Sequence, residues 1–206
     1  MAANGGRHQL GPDGGRLVLR TYRTGLAAQA GHDLTIEITR WSGELDRGED
    51  PSAGRLEVRI DVGSLAVREG RGGVRPLTDR DRREIAATAR KELGTDRNPE
   101  ATFVADKFEP DSTGGGAING TLTLGGQARP LRLQVKKAGD DRYRATASIV
   151  QSEFGIKPYS GMFGALKLRD AVDVEVEVDL SAREGAPDSG GQDSGTQNSG
   201  TQGSRP

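Results

Sequence analysis

His32 and Asp33 stand side by side where a run of alternating apolar residues begins, in a chain with two histidines and no cysteine. An imidazole beside a carboxylate can transfer a proton or hold the polar head of a ligand. It can equally bond backbone groups at a turn, and that use fits a histidine with no second ligating residue close by. The other histidine, His8, lies among Gly, Asn and Pro. Two histidines without a thiol leave tetrahedral zinc almost nothing to draw on. Disulfides and thiolate catalysis are excluded outright. Serines and aspartates are plentiful, but no Gly-x-Ser-x-Gly elbow is present to expose a nucleophile. The expectation is a protein with no catalytic residues, no metal and no cofactor.

A second concentration of chemistry-bearing residues is basic: Arg68, Arg71, Arg75, Arg80, Arg82, Arg83, Arg90, Lys91 and Arg97. Such a cluster can recognise phosphate. However, Glu69, Asp79, Asp81, Glu84 and Glu92 are interleaved with it, which is the pattern of a solvated, self-paired surface. No aromatic separates these cations, so stacked single-stranded nucleic acid lacks its platform. Gly70-Arg-Gly72-Gly73 lacks the Gly-Lys-Ser/Thr end of a phosphate loop. The whole chain balances 29 basic against 30 acidic residues, so no bias towards nucleic acid exists. Arg75 and His32 remain as candidates to hold the head group of a ligand.

The elements that would position these residues are mostly strands. Val172, Val174, Val176, Val178 and Leu180 alternate with Asp173, Glu175, Glu177 and Asp179. A period of two places the apolar set on one face of a strand and the acids on the other. The same alternation recurs over Arg16–Arg23, Leu34–Ile38, Leu56–Val62, Ala101–Phe108, Ile118–Leu124, Leu131–Val135 and Tyr143–Ile149. Between Ile38 and Trp41 the apolar parity reverses, as it does at a bulge or sharp bend. Gly125-Gly126 marks a hairpin. One stretch changes period: Ile85, Ala89 and Leu93 recur every four residues, with Asp81 and Glu84 as a possible capping box and Gly94 placed to end a helix.

About eight strands and one α-helix predict a mainly β fold, a single antiparallel barrel over residues 15–182. Residues 1–14 lack periodicity and are expected to be disordered. The stretch 183–206 repeats Ser-Gly-Thr-Gln without an apolar residue and reads as a disordered low-complexity tail. No run approaches the ~20 apolar residues of a membrane span. The opening MAANGGRHQLGPDGG carries no apolar core of a signal peptide, so a cytoplasmic location is expected. A barrel of this size is either filled by its own side chains or holds one small ligand.

Five segments in order carry a family resemblance. They are GRLVLRTYRTGLAAQAGHDLTIEITRWSGEL, RLEVRIDVGSL, DRREIAATARKELGTDRNPEATFVADKFEP, INGTLTLGGQARPLRLQV, and SEFGI followed by AVDVEVEVDL. Together they resemble the YceI-like family, across nearly all of Arg16 to Leu180. The resemblance implies a lipocalin-like antiparallel barrel that binds a long isoprenoid or other amphiphilic chain in its interior. Many members carry a pair of aromatics in the helix region, where this chain reads Ala86-Ala87-Thr88-Ala89.

Small inward residues, such as Ala145 and Ala147 beside Tyr143 and Ile149, leave volume for such a chain. The residues expected to line it are Leu34, Ile36, Trp41, Ile85, Phe103, Phe108, Ala145, Ala147, Phe154, Met162 and Phe163. The expected function is a binding protein, not an enzyme, whose partner is an isoprenoid or fatty chain; a homodimer stays open. The alternative is a protein-interaction or structural barrel with a filled core and no small-molecule ligand.

Overall fold

Alternation in sequence becomes pleated strand almost throughout the computed structural model, which describes residues 6–181. In chain order run β1 (Gly6–Leu10), β2 (Gly15–Thr21), β3 (Arg23–Thr24), β4 (His32–Ile38), β5 (Trp41–Arg47), β6 (Ala53–Asp61) and β7 (Leu65–Gly72). The helix α1 (Asp79–Leu93) follows. Then come β8 (Glu100–Pro110), β9 (Gly116–Leu124), β10 (Gln127–Lys137), β11 (Arg142–Val150), β12 (Ser160–Gly161), β13 (Leu166–Leu168) and β14 (Ala171–Asp179). No helix among the described residues is long and apolar enough to cross a membrane.

Eleven strands form one curled antiparallel sheet, in the order β1-β5-β6-β8-β9-β10-β11-β14-β2-β4-β7. The expectation of about eight strands is therefore corrected to eleven. The sheet is barrel-like, but β1 and β7 are its edges and do not pair with each other, so the hydrogen-bond ring stays open. A second, three-stranded sheet β12-β13-β3 stands apart from it. The parity reversal after Ile38 has a clear cause. There the chain leaves β4, which pairs with β2 and β7, and enters β5, which pairs with β1 and β6. The reversal is where the chain steps across the seam of the sheet.

Two strands of the large sheet escaped the sequence reading. Gly6–Leu10 pairs in full register with β5, Gly6 opposite Arg47 and Leu10 opposite Gly43, so residues 6–10 are an edge strand where disorder was expected. Pairing to a formed neighbour outweighs the low strand propensity of a Gly-containing stretch. β7 offers just Leu65 and Val67 as buried apolar residues before turning polar, too short an alternation to stand out. Residues 1–5 and 182–206 lie outside the described residues, and the tail expected over 183–206 lies there too.

Outer faces are tied by cross-strand ion pairs. Arg20 on β2 reaches Glu175 on β14 at 3.1 Å. Arg144 and Arg142 on β11 reach Glu177 and Asp179 on β14. Glu37 on β4 meets Arg68 on β7 at 2.8 Å. The acids that alternate along β14 are thus the outer face, and its valines point inward.

The helix begins one turn earlier than Asp81. Thr78 is its N-cap: its hydroxyl accepts from the Asp81 N–H, and the Asp81 carboxylate accepts from the Thr78 N–H. Gly94 closes the helix in the left-handed conformation, φ 63°. The Arg90 guanidinium clamps α1 to the sheet by donating to the carbonyls of Gly63 (2.8 Å) and Leu65 (3.0 Å). Between the helix and the sheet, Leu34, Ile36, Leu65, Val67 and the helix's Ala86 form a buried cluster, with Ile85 and Ala89 of α1 packed against it.

Candidate functional site

The inward residues do not meet in the middle. A cavity of about 670 Å³ lies within the curl of the sheet. Its walls are Leu17 and Leu19 from β2, Leu45 from β5, Val58 and Ile60 from β6, Leu122 from β9, and Leu131 and Leu133 from β10. Val174, Val176 and Val178 from β14 complete the circuit. Burial along β14 reports the same void: Val172 and Val174 are buried, whereas Val176 and Val178, equally inward, are only partly so. They face empty lumen.

Two glycines make room for two of the rings on this wall. Trp41 lies against Gly15, where an added Cβ would come within 3.0 Å of the indole Cη2. The Phe103 ring lies over Gly120, where an added Cβ would meet Cζ at 2.6 Å and the Val104 carbonyl oxygen at 2.5 Å. Ala101, Ala117 and Ala145 keep other parts of the wall low. Ala145 sits between Val135 on β10 and Val176 on β14, so a larger side chain there would project into the void.

One end of the lumen is closed and the other is polar. Leu93, the last residue of α1, lines the closed end with Val62, Leu124 and Ile149. Phe154 and Ile156 belong to the buried cluster there, with Leu122 and Leu133. At the opposite end Asp46, Arg47, Glu109, Asp111 and Lys137 ring the opening, together with Gly48, Gly54 and Gly114–Gly116 in and beside the β5–β6 and β8–β9 turns. Arg132, 2.7 Å from Glu109, holds that carboxyl below the usual glutamate range. The Thr113 hydroxyl and N–H do the same for Asp111. The rim carries charges of both signs. The wall is mainly apolar; Tyr143 brings a phenol to it, and the buried indole N–H of Trp41 has no hydrogen-bond partner among the described residues.

The structure distributes the sequence-derived candidates unevenly. Trp41, Phe103, Phe108 and Ala145 lie on the lumen wall. Ala147 and Phe154 belong to the surrounding packed cluster. Leu34 and Ile36 are in the buried layer beneath α1, and Ile85 packs onto it from α1 itself. Met162 and Phe163 are on the surface, Phe163 fully exposed. His32 and Arg75 are off the wall as well: His32 Nε2–H donates to the Arg75 carbonyl at 2.8 Å, while the Arg75 guanidinium is paired with Asp81 at 2.8 Å. The two candidates meet each other and brace the N-terminus of α1. Sequence reasoning passed over much of the real wall, although Leu17, Val58, Leu122 and Val176 carried the period-two signal. The rim residues had no signal beyond standing at strand ends. Among the described residues, no group of three or more His, Cys, Asp or Glu is placed to hold a metal ion.

A family model described as a YceI-like domain matches residues 19–181, well over half of the chain. Burkholderia cenocepacia BcnA superposes with a TM-score of 0.57 at 17% identity, over 80% of this chain and 94% of that one. A polyisoprenoid binding domain from Saccharophagus degradans, implicated in plant cell wall breakdown, superposes at 0.54 with 13% identity, over 86% of this chain and 99% of its own. At such identities these two likenesses speak for the fold. No curated protein matches the sequence.

Proposed function

The chain belongs to the YceI-like family, and from that premise we propose that it is a non-catalytic binding protein that sequesters an isoprenoid or other amphiphilic chain in its lumen. The observation that carries this reading is the apolar cavity of about 670 Å³, open at a polar rim. Transfer of a chain from water into such a space contributes ~0.8 kcal/mol per methylene buried, so binding needs no specific polar contact along the tail. The polyisoprenoid binding domain of the Saccharophagus protein has the same fold and points to the same ligand class. A rim carrying both signs suits a head that stays in water near the opening. It lacks the cluster of cations that a diphosphate would want.

Three features support passive binding over chemistry on the ligand. The wall is built of aliphatic and aromatic side chains. His32 is engaged with the Arg75 backbone away from the lumen. The rim carboxylates Glu109 and Asp111 are held ionised by fixed donors, which suits them poorly to proton transfer near neutral pH.

Mass spectrometry of an organic extract of the purified native protein tests the reading. A chain lipid recovered in near-equal molar amount is expected. An extract without any such lipid, from protein that also refuses added prenyl alcohol, would contradict it.

A further inference from the structure

The small sheet β12-β13-β3 lies at the opposite end of β11 and β14 from the charged rim, and it carries an unusual surface. Leu26 and Phe163 are fully exposed, and Met162 is more than half exposed. The three are backbone neighbours. Ala27 N–H donates to the Ala165 carbonyl at 2.9 Å, and Ala165 N–H to the Met162 carbonyl at 3.1 Å. Met162 and Phe163 both hold the left-handed conformation, φ 51° and 53°, which side chains of this size rarely adopt. The strained turn holds two large apolar groups out into solvent.

The two segments that build the lobe carry charge of one sign. Residues 22–31 and 154–169 contain Arg23, Lys157, Lys167 and Arg169 and no carboxylate, in a chain whose net charge is −1. Arg23 donates to the Gly31 carbonyl, and Arg169 lies over the Tyr22 ring. Lys157 and Lys167 are exposed. Three of the flanking acids are occupied: Asp33 accepts from the Arg23 N–H, Asp173 from the Tyr22 hydroxyl and Asp170 from the Ser152 N–H, while Glu153 borders the lobe as an exposed carboxylate.

We propose that this lobe docks the protein on an anionic lipid bilayer, with Leu26, Met162 and Phe163 entering the headgroup boundary and Lys157 and Lys167 facing the lipid phosphates. Protruding apolar tips set among cations match an interface that is greasy within and negative at its surface. Because its two segments carry no carboxylate of their own, the lobe's net charge favours such a surface. Docked this way, the molecule turns its rim away from the bilayer. The inference stands on the lobe alone and does not depend on what the lumen holds.

Flotation of the full chain with vesicles of phosphatidylcholine, with and without phosphatidylserine, is the test. Binding is expected with phosphatidylserine and not without it. It should vanish in the double variant Leu26→Glu/Phe163→Glu and weaken about tenfold or more in Lys157→Glu/Lys167→Glu. These side chains are exposed, so thermal unfolding of the variants should match the parent, which separates lost docking from lost folding. No binding to the anionic vesicles, or binding that survives Leu26→Glu/Phe163→Glu, overturns the proposal. So does a dimer in solution that the same double variant splits while vesicles stay unbound, because the patch would then be a contact between copies.

Discussion

At the residue scale, the lumen exists because particular side chains are small where their neighbours are large. Gly120 is the sharpest case. A methyl group there would sit 2.5 Å from the Val104 carbonyl oxygen, a backbone atom that cannot swing aside. Gly120→Ala should therefore destabilise the protein by about 1–3 kcal/mol, the range of overpacking, as read from chemical denaturation. A second residue-scale prediction concerns pH. The Arg20 guanidinium, bonded to Glu175, holds that carboxyl below its ordinary value of 4.5. Because the folded-state pKa is the lower one, the pair's stabilisation is complete above the ordinary glutamate range. It is lost as pH falls through the lowered value. The pair is partly exposed, so its worth is about 0.2–1 kcal/mol. Glu175→Gln should lower stability by that amount at pH 7 and leave it unchanged in strong acid. An equal loss at both pH values would argue against the assignment. What the sequence hid at this scale was selection among equals: inward leucines and valines all look alike in a period of two. Whether one faces the lumen, as Leu122 does, or the layer under α1, as Ile36 does, depends on curvature that no local pattern records.

At the element scale, α1 seals one side of the curl. It packs on β7, an edge strand that would otherwise expose Leu65 and Val67. Its N-terminus is set by reciprocal bonds between Thr78 and Asp81, with Asp81 also held by Arg75. Thr78→Ala removes the hydroxyl that caps the helix and should cost about 1 kcal/mol by thermal or chemical unfolding. A loss below a few tenths would mean that Asp81 and Arg75 hold the turn unaided. Most elements were legible in advance because each long strand writes its alternation over many residues, as β14 does from Val172 to Val178. The Gly125-Gly126 hairpin was legible for a different reason: both glycines take positive φ, 58° and 77°, which the tight turn requires. Strands that are short, or that draw their stability from a partner, stayed hidden: β1, β7 and the small sheet. The helix start was misplaced by three residues because Asp81-Arg-Arg-Glu84 and Thr78-Asp-Arg-Asp81 offer the same spacing of polar groups. The bonds decide for Thr78.

At the scale of the whole molecule, the sheet divides its labour by face and by end. The outer face is held by arginine–carboxylate pairs between neighbouring strands, and the inner face is apolar and unfilled. One end is closed by Leu93 and neighbouring aliphatics, the other carries the mixed-charge rim, and the cationic lobe stands beyond the closed end. An interior left hollow forgoes the packing that a filled core of this size would supply. A ligand restores that contact, so loading should raise the midpoint of thermal unfolding, by an amount that grows with the logarithm of ligand concentration. The central claim is that the void is the binding site, and Ala145→Trp addresses it directly by filling the space between Val135 and Val176. The decisive measurement is an equilibrium titration of parent and variant with a fluorescent prenyl analogue. We predict saturable one-to-one uptake by the parent and at least a tenfold loss in Ala145→Trp, with folding retained, since burial of a chain supplies ~0.8 kcal/mol per methylene that the variant no longer admits. Equal uptake by both proteins, or none by the parent, would contradict it.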